Sequence, residues 1–199
     1  VKKSKAETAE TRRRIVEIAS QAFRTQGIEA TGIAAIMASA GLTHGGFYRH
    51  FSSKEELVAE AVAMSLEQLV LESEHAANQG AKAALNHALE YLSPSNRDNV
   101  GRSCTFAAAG SELVRADGKT RRIASAAFRR TLEGLAPFMA TDSGDRVAAA
   151  ISVLTNMIGA LTMARLVDDP VLSNRILEVT RERLIESICA AAPAAARGL

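Results

Sequence analysis

The 199-residue chain has no tryptophan, two tyrosines, six phenylalanines and four prolines. So small a stock of aromatic residues argues against an all-β sandwich or barrel, whose strands draw on aromatic and β-branched side chains. The two cysteines, Cys104 and Cys189, lie far apart and lack metal-type spacing. That excludes a disulfide framework and a zinc module, and fits reduced thiols in a cytoplasmic chain. No run reaches the roughly 18 uninterrupted apolar residues that suggest a membrane span. The basic start Lys2-Lys3-Ser4-Lys5 is not followed by an apolar segment, so it does not read as a secretory signal. Catalytic signatures are missing too: no Gly-rich phosphate loop, no G-x-S-x-G elbow, no H-E-x-x-H. His75 and His87 stand alone, without matched carboxylates. The expectation is a soluble chain that is not an enzyme and has no catalytic residues, metal, cofactor or membrane.

What is present is alanine, leucine and helical spacing. The hydrophobic fraction is 47%, enough for a sizeable core. The pattern predicts an all-α protein. A first helix runs from about Thr8 to Gln26, with Ile15, Ile18, Ala19, Ala22 and Phe23 at steps of three and four. Ser4-x-x-Glu7 reads as a capping box and Gly27 as a stop. Thr31 caps a second helix, Gly32 to Ala40, burying Ile33, Ile36 and Met37. Thr43 caps a short third helix in "GLTHGGFYRHF", and Ser53-x-x-Glu56 boxes a long fourth helix from about Lys54 to Asn78. Further helices are expected near 81–92, 96–115, 118–139, 143–167 and 171–191. Breaks fall at Gly80, Ser93-Pro94, Asp117-Gly118, Asp142-Ser143-Gly144 and Asp169-Pro170.

Charge is unevenly spread. Residues 1–54 hold nine Lys/Arg against four Asp/Glu, while the remainder is slightly acidic. A basic head on an acidic body suggests a polyanion partner at one end. Within that head, Leu42 and Phe47 take the positions of a hydrophobic staple, and Phe47 and Phe51 share a core-facing side. His44, Tyr48 and Arg49 face elsewhere. Gly45 and Gly46 weaken the short helix by about 1 kcal/mol each relative to alanine, somewhat less near an end. Two readings are open for them: a plain loop, or a thin tip where a helix-turn-helix approaches DNA bases and phosphates closely.

The segment "TGIAAIMASAGLTHGGFYRHFSSKEELVAEA", residues 31–61, resembles the DNA-binding segment of the tetracycline-repressor (TetR) family. The resemblance rests on Thr31, Ala40-Gly41-Leu42-Thr43, Phe47-Tyr48-x-His50-Phe51, Lys54 and Leu57, and extends through Arg14-Ile15, Ala19, Phe23 and Gly27. It implies a DNA-binding regulator, usually a repressor, acting as a homodimer on a palindromic operator and released by a small-molecule effector. It further implies base contacts from His44, Gly45 and Gly46, and phosphate contacts from Thr43, Tyr48, His50 and Lys54. Thr31 and Arg49 complete the expected DNA surface. Lys2, Lys3 and Lys5 are candidates for a flexible, salt-sensitive grip. The domains expected are 1–53 for DNA binding, 54–191 for effector binding and dimerisation, and a frayed tail at 192–199.

The body offers two further surfaces. Val147, Ile151, Leu154, Ile158 and Leu161, with Ile176, Val179, Leu184 and Ile188, form stripes suited to a dimer of two helices per subunit. Leu66, Leu69, Phe106, Phe128, Phe138, Met139 and Met157 are candidates for an adaptable, largely apolar effector cavity. The basic stretch 115–130 suits an anionic effector or a solvated face. The rival to a DNA reader is a helical adaptor without DNA binding.

Overall fold

The computed structural model describes residues 4–140 and 144–189. Lys2, Lys3, Asp142, Ser143, the tail from Ala190 onward and the Cys189 side chain lie outside the described residues. The fold is all-α: α1 (Lys5–Gln26), α2 (Ile33–Ser39), a 3₁₀ helix (His44–Arg49), α3 (Lys54–Asn78), α4 (Ala81–Tyr91), α5 (Pro94–Asp98), α6 (Thr105–Leu113), α7 (Gly118–Leu135), α8 (Arg146–Leu166) and α9 (Pro170–Cys189). No strand occurs among the described residues.

Local chemistry sets most of the ends. The Ser4 hydroxyl accepts from Glu7 N at 3.2 Å and Glu7 accepts from Ser4 N at 2.6 Å, so the capping box starts α1 at Lys5, earlier than Thr8. Gly27, Gly41, Gly80 and Gly144 take positive φ, a region from which a side chain is largely barred. Ser93, Asp117, Asp145 and Asp169 each accept an N–H of the helix turn that follows. The segment expected as one helix over 96–115 is two, α5 and α6. Between them residues 99–104 form a link that interrupts the α-helix and contains a short 3₁₀ helix, Val100–Arg102.

The contacts divide the chain into two compact units. One is Val1–Gln68 with Val100–Ala126; the other is Leu69–Asn99 with Ala127–Leu199. α6 packs with α1, the start of α7 belongs to the same unit, and α3 contributes to both units.

In the first unit Ile15, Ala19, Phe23, Ile36, Met37, Phe47, Phe51, Leu57, Val62 and Leu66 are buried. In the second, α8 packs along α9, and α4 and α5 pack on that pair. Arg97 bonds Ser173 and Asn174, while Arg165 donates to the carbonyls of Asn96 and Arg97. Helix α8 carries no charge between Arg146 and Arg165, and its mean hydropathy of 1.8 over 18 residues would suffice for a membrane crossing by length and composition. Its face bearing Ala150, Leu154, Met157, Ala160, Leu161 and Ala164 is nevertheless buried within the protein.

Candidate nucleic-acid interface

The expected reading helix is a 3₁₀ helix, His44–Arg49, rather than an α-helix. Gly46 N donates to Thr43 O at 3.0 Å and His50 N to Phe47 O at 2.8 Å, both three-residue steps. Thr43 occupies the N-cap position but makes no side-chain capping bond, so its exposed hydroxyl remains available to an outside acceptor or donor. The helix is held by its aromatic underside. Phe47 is fully buried and stacks on Phe51 with centroids 5.4 Å apart, while Tyr48 meets Phe47 edge-on at 5.3 Å. The Arg12 guanidinium lies 4.1 Å from the Phe51 ring centroid.

The outward face carries His44, Gly45, Tyr48 and Arg49, with Tyr48 67% exposed. His50 is partly buried, its ring tilted against Phe51. Neither glycine is required by the fold. Gly45 and Gly46 are not among the positive-φ residues. A Cβ on Gly45 would meet nothing within 4 Å, and one on Gly46 would make ordinary contacts with Met37 and Thr43. Two glycines that cost helix stability therefore answer to no internal steric or backbone demand.

Two expected site residues behave differently. Thr31 is 1% exposed, and its hydroxyl donates to Gly27 O at 2.6 Å, so it braces the turn instead of facing a partner. Nor does it cap α2, whose N-cap is Gly32. Lys54 starts α3 as expected, but its ammonium donates to Glu29 O at 3.3 Å. The capping box at Ser53 is half kept: Ser53 Oγ accepts from Glu56 N, while the Glu56 carboxylate accepts from Ser52 N and Oγ. Those bonds to Ser52, then the Arg12 guanidinium, hold the Glu56 carboxyl down to about 2.

Sequence reading missed Arg12, Glu56 and Glu60 as a group. Arg12 pairs with both acids and thereby ties α1 to α3. Separations of more than forty residues leave no periodic trace. A cleft of about 230 Å³ beside Lys54, lined by Ile28, Glu29, Val58, Glu112, Arg115 and Thr120 among others, was missed as well.

The effector and dimer residues also sort by burial. Leu66 and Phe106 belong to the first unit and Leu69, Phe128, Phe138, Met139 and Met157 to the second, so the expected lining does not lie within one unit. Leu66, Met139 and Met157 are buried; the other four are half-buried. Of the expected dimer stripe, Val147, Ile151 and Val179 are exposed, and Ile158 and Ile176 half-exposed. Leu154, Leu161, Leu184 and Ile188 are buried within the chain itself and have little surface to give. The apolar stripe read along each helix merged an inward face with part of an outward one. Met163, Leu166, Val171, Leu172 and Ile185 are exposed as well.

Comparisons with known proteins bear on the same segment. The profile of the family described as "Bacterial regulatory proteins, tetR family" matches residues 15–61. The HTH-type transcriptional regulator TtgR of Pseudomonas putida is 45% identical over 58 residues, which are 29% of this chain and 28% of TtgR. The chain thus spans little more than a quarter of that relative's length in the match. Among solved structures, a TetR transcriptional regulator from Chloroflexus aurantiacus superposes with a TM-score of 0.71 at 25% identity, covering 91% of this chain and 95% of that one. Reduced E. coli NemR superposes with a TM-score of 0.78 at 17% identity, covering 92% and 99%, a likeness of fold. Residues 15–61 thus match the DNA-binding segment of the TetR family in sequence, and the helical order along nearly the full length is like that of solved TetR-family regulators.

Proposed function

We propose that the protein is a DNA-binding repressor that occupies a palindromic operator as a homodimer and is released by a small, largely apolar effector. The observation that carries this reading is Gly45 on the outward face, where a Cβ would meet nothing within 4 Å, with half-exposed Gly46 beside it, whose Cβ would make only ordinary contacts. Bare backbone at a helix start suits close approach to base edges and phosphates. His44 and Arg49 flank it as base or phosphate donors, and Thr43, Tyr48, His50 and Lys54 supply phosphate contacts that set register. Lys5 adds exposed charge on the same unit.

The dimer reading is supported by the exposed aliphatic residues of α8 and α9. Val147, Ile151, Met163, Leu172, Val179 and Ile185 lie on surfaces where α8 offers no charge of its own between its two terminal arginines. A second copy would bury them, and two heads would then read two half-sites about one DNA turn apart. For the effector, Phe128, Phe138, Met139 and Met157 of the second unit are the proposed walls. Because α3 contributes residues to both units, an effector that prefers one tilt of it opposes DNA binding by one shared coupling energy, typically about 1–3 kcal/mol. A role in transcription puts the protein in the cytoplasm.

The test is selection of bound duplexes from a random pool, followed by salt titration. A DNA reader enriches a palindrome and loses affinity steeply with salt, in proportion to the phosphates it neutralises. A helical adaptor enriches nothing.

A further inference from the structure

The turn after α1 carries a tie that the reading head does not need for its own packing. Gly27 leaves the helix at φ 90°, and the next two amides, Ile28 N and Glu29 N, point away from the helix ladder. Both donate to one carboxylate, that of Glu112 near the end of α6, at 3.1 and 3.0 Å. Each amide takes a different oxygen, so the fork fixes the orientation of the turn as well as its position. A Cβ at residue 27 would lie 3.3 Å from both carboxylate oxygens, so glycine is demanded there by φ and by proximity together.

The segment leading into α6 is fastened as well. Arg24 donates to Gly101 O through Nε at 2.9 Å and Nη2 at 2.6 Å. A Cβ on Gly101 would come within 3.1 Å of Gln21 and Thr25, so this approach is also tight. Residues on both sides of α6's length thus hold the last turns of α1 and the turn beyond it. From there the connection to the reading helix is short. Thr31 bonds back to Gly27 O, α2 follows at Ile33, and Met37 and Phe47 are both fully buried in the same unit.

We propose that Glu112 is a positioning residue: its carboxylate latches the 27–29 turn to α6, so that any displacement of α6 is delivered to the DNA-reading helix. This rests on the DNA-binding reading above. The Glu112 end is the releasable one, because it holds two neutral amides with a half-exposed side chain. The Arg24 end instead places two N–H donors of a cation on the carbonyl of a buried glycine.

The test uses the full chain with Glu112→Gln and Glu112→Ala, read by amide hydrogen exchange without DNA and by affinity for the selected duplex. The latch predicts faster exchange at Ile28 and Glu29 that spreads through residues 33–51. It also predicts operator binding weakened about tenfold in Glu112→Ala, less in Glu112→Gln, with the salt slope unchanged. The sign discriminates, since removing a negative charge near a polyanion would by electrostatics alone tighten binding. Exchange confined to residues 28 and 29, or binding unchanged or tightened, overturns the latch. If Glu112→Ala fails to fold, the near-isosteric Glu112→Gln decides. If the wild-type chain enriches no duplex, the DNA reading fails, and the spread of exchange still decides whether the head is latched.

Discussion

Two regions of this chain both leave side chains uncovered, and they leave opposite kinds. The 44–50 segment exposes an imidazole, a phenol, a guanidinium and bare backbone over an aromatic underside that is sealed from water. The α8–α9 pair exposes valine, isoleucine, leucine and methionine, with an 18-residue stretch of α8 free of charge. Polar donors over a rigid base suit a charged, hydrated partner whose contacts are hydrogen bonds. Aliphatic surface of this extent suits a partner that removes it from water, and a second copy of the same face does so by symmetry. On the proposed reading one chain separates recognition of a polyanion from recognition of itself, and each can be broken alone.

The largest effect is expected beneath the reading face. Phe47→Ala deletes a fully buried ring that packs on Phe51 and Tyr48, and should cost about 3–5 kcal/mol in chemical denaturation. It should remove DNA binding by unfolding the head and leave the dimer intact. Next comes the aliphatic surface of α8 and α9. Ile151→Glu with Val179→Glu sets charges on the exposed aliphatic surface and should weaken self-association about 100-fold or more in sedimentation. A full-strength dimer in that variant would place the interface elsewhere.

Gly45→Leu sharpens the comparison because it should separate stability from recognition. The fold has open space at that Cβ, so stability should hold or rise by up to about 1 kcal/mol, while operator affinity should fall at least tenfold or shift in sequence preference. Equal loss of both would mean the glycine serves the fold. The smallest effect is on acid stability. Glu56 is held down to about 2 by its bonds to Ser52 and by Arg12, against an ordinary glutamate value of 4.5. A depressed carboxyl favours the folded state above its unfolded value, and that contribution fades as pH falls from about 4.5 toward about 2. Glu56→Gln should flatten the acid limb of the stability profile in that window.

The sequence made the helices, most of their ends and the reading segment legible, because caps, glycines and three-four spacing act over a few residues. Ser4-x-x-Glu7 and Ser93-Pro94 are examples where the local signal and the structure agree. Other features depend on residues far apart in the chain. Thr31 reads as a cap or a phosphate ligand, yet the Gly27 carbonyl captures its hydroxyl. Leu154 and Ile151 look alike on one stripe, and only the position of α9 makes the first core and the second surface. The break in the α-helix at 99–104 is written in Asn99, Gly101 and Ser103, but the reason for Gly101 is the side chains of α1 some 80 residues earlier in the chain.

The most direct test of the central claim is the affinity of the wild-type protein for a duplex selected from a random pool, measured against salt and against the same duplex cut to one half-site. A symmetric consensus, a steep inverse salt dependence and much weaker binding to the half-site are the predicted results. Binding that ignores salt, or that is equally strong on a half-site and a scrambled duplex, would contradict the account.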